Sequence, residues 1–313
     1  MLPYCISIVM RLLCCALLWA ALPATAQVHA SPEHTHSVLV LGRVSDDPRH
    51  HADKMQPMLD YVVPRMRDVG IRQGRILMAR DAVQMQSYLR RQRVDWISDT
   101  ATMAIEYERR SGATLLLATE RGASEYRSVF FTWRGSGITS LADLKGHSIA
   151  FQSTYSTSSY VLPAAELLRA DFALDLLLSP LDRPVAGRVG YVFARTEGNI
   201  QTWVRKRLVD AGAFSELDWK ALAATLPESD SDLVVFHQTR AVPRGIEVVA
   251  PGLAPHVRER LREVLLEAGS DPAAQEALHA FFGTRRFTPI DAPVREGLTR
   301  LAADLALVRA RLE

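Results

Sequence analysis

Short apolar runs alternate with amphipathic stretches of helical period along most of the chain. In the first part of the chain, the apolar runs predict buried strands at Val38–Gly42, Ile76–Ala79, Val94–Ser98 and Thr114–Ala118. The stretches between them predict helices at about 53–69, 82–91 and 100–110. Strands that alternate with helices predict a parallel, doubly wound α/β sheet, because each helix carries the chain back across the sheet.

A second α/β series follows a long strand predicted at Tyr126–Trp133. Its strands are predicted at Ser148–Phe151, Arg188–Phe193, Val209–Ala213 and Leu233–Phe236, with helices up to Ala170 and at about 199–207. The chain returns through Gly245–Val249 to helices at Ala254–Ala268, Pro272–Phe282 and Val294–Leu312. We therefore predict two doubly wound lobes joined by two crossover segments, with residues 27–124 and 241–313 in lobe 1 and residues 125–240 in lobe 2.

Four loops follow the carboxyl ends of predicted strands, at residues 43–48, 98–100, 152–159 and 195–199. In doubly wound sheets, ligands bind in the crevice outside these ends. We expect the four loops to face one crevice between the lobes.

The third loop ends in a run of hydroxyl side chains, Ser156, Thr157, Ser158 and Ser159, just before the helix predicted from Val161. Hydroxyls beside the free N–H groups of a helix's first turn form an anion site, because the donors converge and the helix dipole favours negative charge. The same pattern also fits an ordinary N-cap, which needs only one Ser or Thr.

The N-terminal segment, residues 1–26, differs from the rest of the chain. Arg11 is its only charge, Leu12–Leu22 is apolar, and Ala24-Thr25-Ala26 precedes Gln27. This pattern predicts a cleavable secretory signal, with Met10 as an alternative start, and hence a periplasmic protein. A membrane anchor is the alternative, but spanning a bilayer needs about 20 apolar residues and this run is shorter.

Composition narrows the chemistry further. All three cysteines lie in the predicted signal, which excludes disulfides, thiolate catalysis and Cys-ligated metal from the mature chain. The 37 basic and 35 acidic residues nearly balance, so nucleic acid is not an expected partner. The chain has no Gly-x-Ser-x-Gly elbow, P-loop or His-Glu-x-x-His motif. We therefore expect a protein without enzymatic activity, cofactor or metal, and we expect His50 and His51 to be solvated.

Several stretches occur in a characteristic order: Val40–Ser45, Val94–Thr100, Tyr126–Phe131, Leu141–Gly146, Ser156–Ser158 with Tyr160 and Pro163, and Val209–Ala213. In this order and spacing they resemble the PhnD-like phosphate/phosphite/phosphonate-binding proteins of ABC importers, over roughly residues 38–310. The resemblance implies a type II, bilobed periplasmic-binding-protein fold. It also implies a small anionic ligand (phosphonate, phosphite or phosphate), on which the two lobes close like a flytrap.

The resemblance also implies ligand contacts. Ser156, Thr157 and Ser158 would hold the phosphonyl oxygens through hydroxyls and helix N–H groups, with no cation needed beside the anion. Tyr126 matches an aromatic residue that lines the pocket, although it also fits an ordinary sheet tyrosine. Glu197 and Asn199 match the family pattern. Ser159 stands where the family often has glycine, and either adds a fourth hydroxyl or narrows the approach.

The first-lobe loop of Ser98, Asp99 and Thr100 completes the implied site. The family commonly has a glutamate or a small polar residue in this loop. A carboxylate repels an oxyanion unless the anion is protonated or the ligand carries an ammonium group. Asp99 is therefore either a selective hydrogen-bond acceptor or the N-cap of the helix predicted from Thr100.

These observations predict a monomeric periplasmic protein that captures a small anion and passes it to an ABC permease. A soluble receptor that signals anion occupancy to a membrane sensor is the alternative. An enzyme in the same cleft is disfavoured because the sequence offers no nucleophile–base pair.

Overall fold

The computed structural model describes residues 37–45, 47–225 and 232–313. The predicted signal at residues 1–26 lies outside the described residues. Among the helices described, none combines the length and the apolar character needed to cross a bilayer.

The described elements follow the alternating pattern of the sequence. The strands are β1 Val38–Val44, β2 Gln73–Ala79, β3 Trp96–Thr100, β4 Thr114–Glu120, β5 Glu125–Tyr126, β6 Ser128–Trp133, β7 Ser148–Phe151, β8 Leu174–Leu176, β9 Val189–Phe193, β10 Ala211–Ser215, β11 Leu233–Gln238, β12 Val242–Pro243, β13 Gly245–Val249 and β14 Arg286–Thr288. The α-helices are α1 Pro48–Val62, α2 Ala82–Arg90, α3 Ala101–Ser111, α4 Leu162–Arg169, α5 Glu197–Arg205, α6 Glu216–Thr225, α7 Pro255–Ala268, α8 Gln275–Ala280 and α9 Ala292–Leu312. Short 3-10 segments lie at Val63–Val69, Leu141–Leu144 and Pro272–Ala274, and a π-helical turn at Thr157–Val161 leads into α4.

The first sheet has the strand order β2-β1-β3-β13-β4-β14. β1 pairs in parallel with β2 and β3, whereas β13 is antiparallel to both β3 and β4, and β14 is antiparallel to β4. The four strands predicted from the alternating pattern, β1 to β4, therefore run in the same direction, and the returning strand β13 runs antiparallel among them. Adjacent side chains of β3 show that both faces are covered: Trp96 belongs to the buried cluster that includes Met58 and Leu261, and Ile97 to the cluster that includes Ala104.

The second sheet has the order β11-β6-β10-β7-β9-β8. β7, β9, β8 and β10 form its parallel part, and β6 runs antiparallel to its neighbours β10 and β11. Its strands also alternate between two buried clusters, with Ile149 and Phe151 on one face and Ala150 on the other. The mixed α/β architecture with one sheet in each of two lobes confirms the predicted fold class.

Two short strands connect the lobes. β5 and β12 pair with each other in an antiparallel ladder, in which Tyr126 lies opposite Val242. The C-terminal helix α9 packs against this ladder, and a Cβ added at Gly297 would lie only 2.7 Å from Cδ of Pro243. Glycine at this position therefore lets the helix approach the connection closely.

Helix α9 also joins the lobes through ion pairs. Arg309 lies 3.2 Å from Glu106 of α3, in the first lobe. Asp304 is buried and pairs with Arg169 of α4, in the second lobe, and with Arg240 just before the ladder. The helix thus contacts elements of both lobes.

Local capping explains where some elements depart from the sequence prediction. Helix α1 begins at Pro48 rather than near Asp53, because Asp47 accepts the N–H of His50 and proline is favourable in the first turn. Helix α6 was not predicted; the Ser215 hydroxyl accepts the N–H of Asp218 at its start. The short strands β8, β12 and β14 were also missed, since their length gives little periodic signal.

Candidate ligand-binding site

A cavity of about 500 Å³ lies between the lobes. All four loops predicted to face a crevice contribute to its lining: Arg43, Val44, Ser45 and Asp47; Asp99 and Thr100; Gln152, Tyr155, Ser156, Thr157 and Ser158; Thr196 and Glu197. The remaining lining residues are His51, Arg121, Tyr126, Ser215, Asp218 and Arg244. The cavity therefore collects strand ends from both sheets, as expected for this topology.

Four helix N-termini meet at this cavity. Their N-cap residues are Asp47 for α1, Thr100 for α3, Ser156 for the π-helical turn before α4, and Thr196 for α5, and all four line the cavity. Each helix presents the positive end of its dipole and N–H groups of its first turn. The backbone alone thus gives the cavity donor character suited to an anion.

The hydroxyl run serves as a cap and as cavity lining at the same time. The Ser156 hydroxyl accepts the N–H of Ser159 at 3.1 Å, so the N-cap interpretation holds for this residue. Ser156, Thr157 and Ser158 nevertheless line the cavity, and each is at most 8% exposed. The two interpretations of the run are therefore compatible.

Thr157 also connects the two lobes. Its hydroxyl donates to Oγ1 of Thr102 at 2.8 Å and accepts the Thr102 N–H at 3.3 Å, in the first turn of α3. Ser158 is fixed through its carbonyl, which accepts the Ser128 hydroxyl at 2.6 Å. The run is thus held by the second lobe and touches the first.

Tyr126 lies in the β5–β12 ladder and lines the cavity, so both interpretations of this residue hold as well. Burial raises the pKa of its phenol, and contacts with the Thr157 and Ser158 side chains offset part of the rise. The phenol therefore remains neutral and can act as a donor or an acceptor beside the hydroxyl run.

Asp99 is buried and internally hydrogen-bonded. One carboxylate oxygen accepts the Thr100 N–H at 2.8 Å, and the other accepts the Tyr107 hydroxyl at 2.9 Å. Burial raises the pKa of Asp99, and the charge of Arg43 offsets part of the rise. The proposed N-cap role is wrong, because Thr100 caps α3 by accepting the Met103 N–H.

Three residues of the predicted site do not line the cavity. Ser98 is fully buried, where its hydroxyl donates to Glu247 at 2.9 Å. Ser159 is also fully buried, inside the turn that Ser156 caps. Asn199 is exposed and donates from its side chain to the Ala194 carbonyl at 2.8 Å, which stabilises the start of α5. Ser98 and Asn199 thus make supporting side-chain hydrogen bonds, whereas the buried Ser159 hydroxyl has no hydrogen-bond partner among the described residues.

Three arginines in the lining were not among the predicted site residues: Arg43, Arg121 and Arg244. The resemblance implied that the anion needs no cation beside it, yet three cations contribute to the lining of this cavity. Arg43 lies within the loop predicted to face the crevice, and Arg121 and Arg244 flank the two crossover segments. Their positions in the predicted loop and beside the crossover segments are the signal in the sequence that indicates them.

His51 was expected to be solvated but is half-buried in the cavity wall. Its Nδ1 lies 2.6 Å from the hydroxyl of Ser45, and its ring centroid lies 5.5 Å from that of Phe282. The physical reason is the earlier start of α1, which carries His51 into the first helical turn beside the crevice.

A sequence-family model described as "ABC transporter, phosphonate, periplasmic substrate-binding protein" matches residues 44–293. The chain belongs to this family. XAC2383 from Xanthomonas citri, solved bound to chloride ion and bound to ATP, is 48% identical to it; the likeness covers 88% of this chain and 100% of that protein, with TM-scores of 0.85 and 0.84. PhnD1 from Prochlorococcus marinus, solved with methylphosphonate, is 17% identical, covers 87% of this chain and 99% of its own, and has a TM-score of 0.67. No curated protein matches the sequence.

Membership of this family makes the chain a periplasmic substrate-binding protein of the ABC phosphonate type. The distant likeness to PhnD1 supports the bilobed type II fold alone. Proteins of this family bind and deliver a solute, and the cavity of this chain lies at the carboxyl ends of strands from both sheets.

Proposed function

We propose that this protein captures the phosphoryl or phosphonyl group of a phosphate, phosphite or phosphonate compound in the interlobe cavity and delivers it to an ABC importer. The main support is the convergence of four helix N-termini on one cavity, with the hydroxyls of Ser156, Thr157 and Ser158 among them. A tetrahedral oxyanion can accept hydrogen bonds from several directions at once, which matches such a set of donors.

Capture would depend on closure of the lobes around the ligand. Donors from the second lobe, at the hydroxyl run, and from the first lobe, at α1 and α3, face the same space. A ligand that bonds to both sides favours the closed arrangement over any open one, and the β5–β12 ladder is the natural hinge. The permease would then recognise the closed form.

The cavity has more room than a bare oxyanion needs. Its volume of about 500 Å³ corresponds to roughly seventeen water molecules at about 30 Å³ each. The Xanthomonas citri relative was solved with chloride and with ATP, both of which are anions. We therefore propose that the ligand of this chain carries an organic or phosphoryl substituent on the phosphorus group.

A thermal-shift screen tests the anion site. Phosphate, phosphite, methylphosphonate, aminoethylphosphonate, ATP and sulfate are compared, since a ligand that binds only the native state raises Tm by mass action. We expect one or more phosphorus anions to raise Tm, and Ser156→Ala with Thr157→Ala to abolish that rise. Each protein is compared with its own ligand-free Tm, because loss of the Ser156 cap alone costs about 1 kcal/mol.

The matched control is Ser270→Ala with Thr299→Ala. These exposed hydroxyls outside the cavity lining donate to backbone carbonyls, and their loss should leave the ligand-induced shift unchanged. A full shift retained in the Ser156/Thr157 double variant would contradict the proposed site.

A further inference from the structure

The three cavity arginines form a contiguous group in the first lobe and its connection. The guanidinium carbons of Arg43 and Arg121 lie 4.3 Å and 4.9 Å from the ring centroid of Phe282. Arg244 donates from Nη1 to the Arg121 carbonyl at 2.7 Å. One aromatic ring and one backbone carbonyl thus hold three cations together at the cavity wall.

These guanidiniums use few of their donors within the described residues. Arg43 donates to the Ser98 carbonyl at 2.8 Å, and Arg121 donates to the Ser98 hydroxyl at 3.4 Å. The Nε atoms of Arg43 and Arg121 are buried without a hydrogen-bond partner. Since a guanidinium has five N–H donors, these hydrogen bonds engage only a minority of the donors of the three arginines, and the remaining donors on the terminal nitrogens are the ones that a ligand can use.

Burial and the charge of Arg43 lower the pKa of Arg121 to about 9. The buried carboxylate of Glu247 is already bonded by Trp96 at 2.6 Å and by Ser98 and Thr119 at 2.9 Å. It attracts Arg121 without a direct hydrogen bond to it. The three arginines therefore lie close together, and the buried carboxylate that attracts Arg121 accepts its hydrogen bonds from other residues.

The three aspartates in the cavity lining have internal partners too. Asp99 accepts Thr100 and Tyr107, Asp47 caps α1, and Asp218 is bonded to the Ser215 hydroxyl. The lining thus offers an anion two distinct sets of donors: the hydroxyl run of the second lobe and the arginines of the first.

We propose that Arg43, Arg121 and Arg244 form a second anion subsite, so that the ligand contains at least two phosphoryl groups, as a diphosphate or a nucleoside polyphosphate does. This inference rests on the proposed function, with one phosphoryl group on Ser156–Ser158 and another on the arginines. Planar guanidiniums bind phosphate oxygens in a bidentate manner, and the cavity volume of about 500 Å³ leaves space for both groups.

Isothermal titration with phosphate, methylphosphonate, pyrophosphate and ATP tests the subsite. We expect pyrophosphate or ATP to bind wild-type protein at least about tenfold more tightly than phosphate or methylphosphonate, because additional charge-assisted hydrogen bonds form. Arg43→Gln and Arg121→Gln should each weaken pyrophosphate and ATP by roughly tenfold or more and leave phosphate binding within about twofold. If the wild-type protein binds ATP more tightly than pyrophosphate, the preferred ligand is an organic polyphosphate.

Arg49→Gln is the matched control, since Arg49 is an exposed arginine in the first turn of α1 that does not line the cavity. It should leave every affinity unchanged. Equal wild-type affinities for phosphate and pyrophosphate would overturn the subsite and leave the proposed function standing, and so would arginine variants that retain full pyrophosphate affinity. Failure of every phosphorus anion to bind would overturn the proposed function itself. If an arginine variant does not fold, the wild-type ranking of the four ligands still decides.

Discussion

The hydrogen bond between Thr102 and Thr157 gives a direct test of lobe closure. Thr102→Val removes the Oγ1 acceptor from the first lobe but keeps nearly the same side-chain shape. Thr102 is 1% exposed and does not line the cavity, so the substitution leaves the proposed ligand contacts in place. The change therefore acts on the contact between the lobes.

The size of the effect follows from burial. Thr102 and Thr157 are each 1% exposed in this arrangement, whereas separated lobes would expose their hydroxyls to water. Loss of this hydrogen bond destabilises the closed form relative to the open form by about 1 kcal/mol. The apparent affinity for the ligand then falls roughly fivefold. If the Thr157 hydroxyl finds no other acceptor, the cost rises to about 3 kcal/mol, or roughly 150-fold.

Titration calorimetry measures this loss with any ligand that shifts the wild-type Tm. The matched control is Thr132→Val, because the Thr132 hydroxyl is equally buried but donates to the Asp210 carbonyl within the second lobe. The control should lower the free energy of unfolding without a change in affinity. Unchanged affinity in Thr102→Val would refute the idea that this bond forms on closure.

Two further predictions concern stability. Gly212→Ala should lower the free energy of unfolding by roughly 1–3 kcal/mol in denaturant titration, because the new Cβ would lie 2.5 Å from Cγ2 of Ile200. A variant as stable as wild type would contradict this packing. Arg240→Met should cost roughly 1–3 kcal/mol at pH 8, since it leaves buried Asp304 with Arg169 alone. Burial raises the pKa of Asp304 above the unfolded value, and loss of a cation raises it further, so the deficit should shrink as pH falls through the folded pKa. A deficit that grows with acid would exclude this explanation.

Local signals in the sequence were sufficient for most elements. β7 was predicted with its observed bounds, and α7 and α9 within two residues, because apolar periodicity and a nearby proline mark them. The returning strand β13 was located correctly, but its antiparallel place between β3 and β4 is a long-range pairing that periodicity does not encode.

The candidate site shows the same contrast between local signals, which the sequence contains, and long-range contacts, which it does not. The hydroxyl run was found because a strand, several hydroxyls and a helix follow one another in a short segment. The arginine group is assembled from residues 43, 121 and 244, each an ordinary cation in its own segment, and only the fold brings them to one ring. Asp99 could not be assigned because its partner Tyr107 lies two helical turns away, on the buried side of α3.

The position of β13 also bears on how the polypeptide reaches its native state. The second sheet is built from a continuous stretch, residues 128–238, so it can assemble as soon as that stretch is available. The first sheet cannot, because its inner strand comes from residues 245–249. Until that strand inserts, β3 and β4 present open edges that can pair with other chains. Nascent or truncated forms that end near residue 240 should therefore aggregate through the open edges of β3 and β4. They should do so even when the second lobe has already reached its native fold.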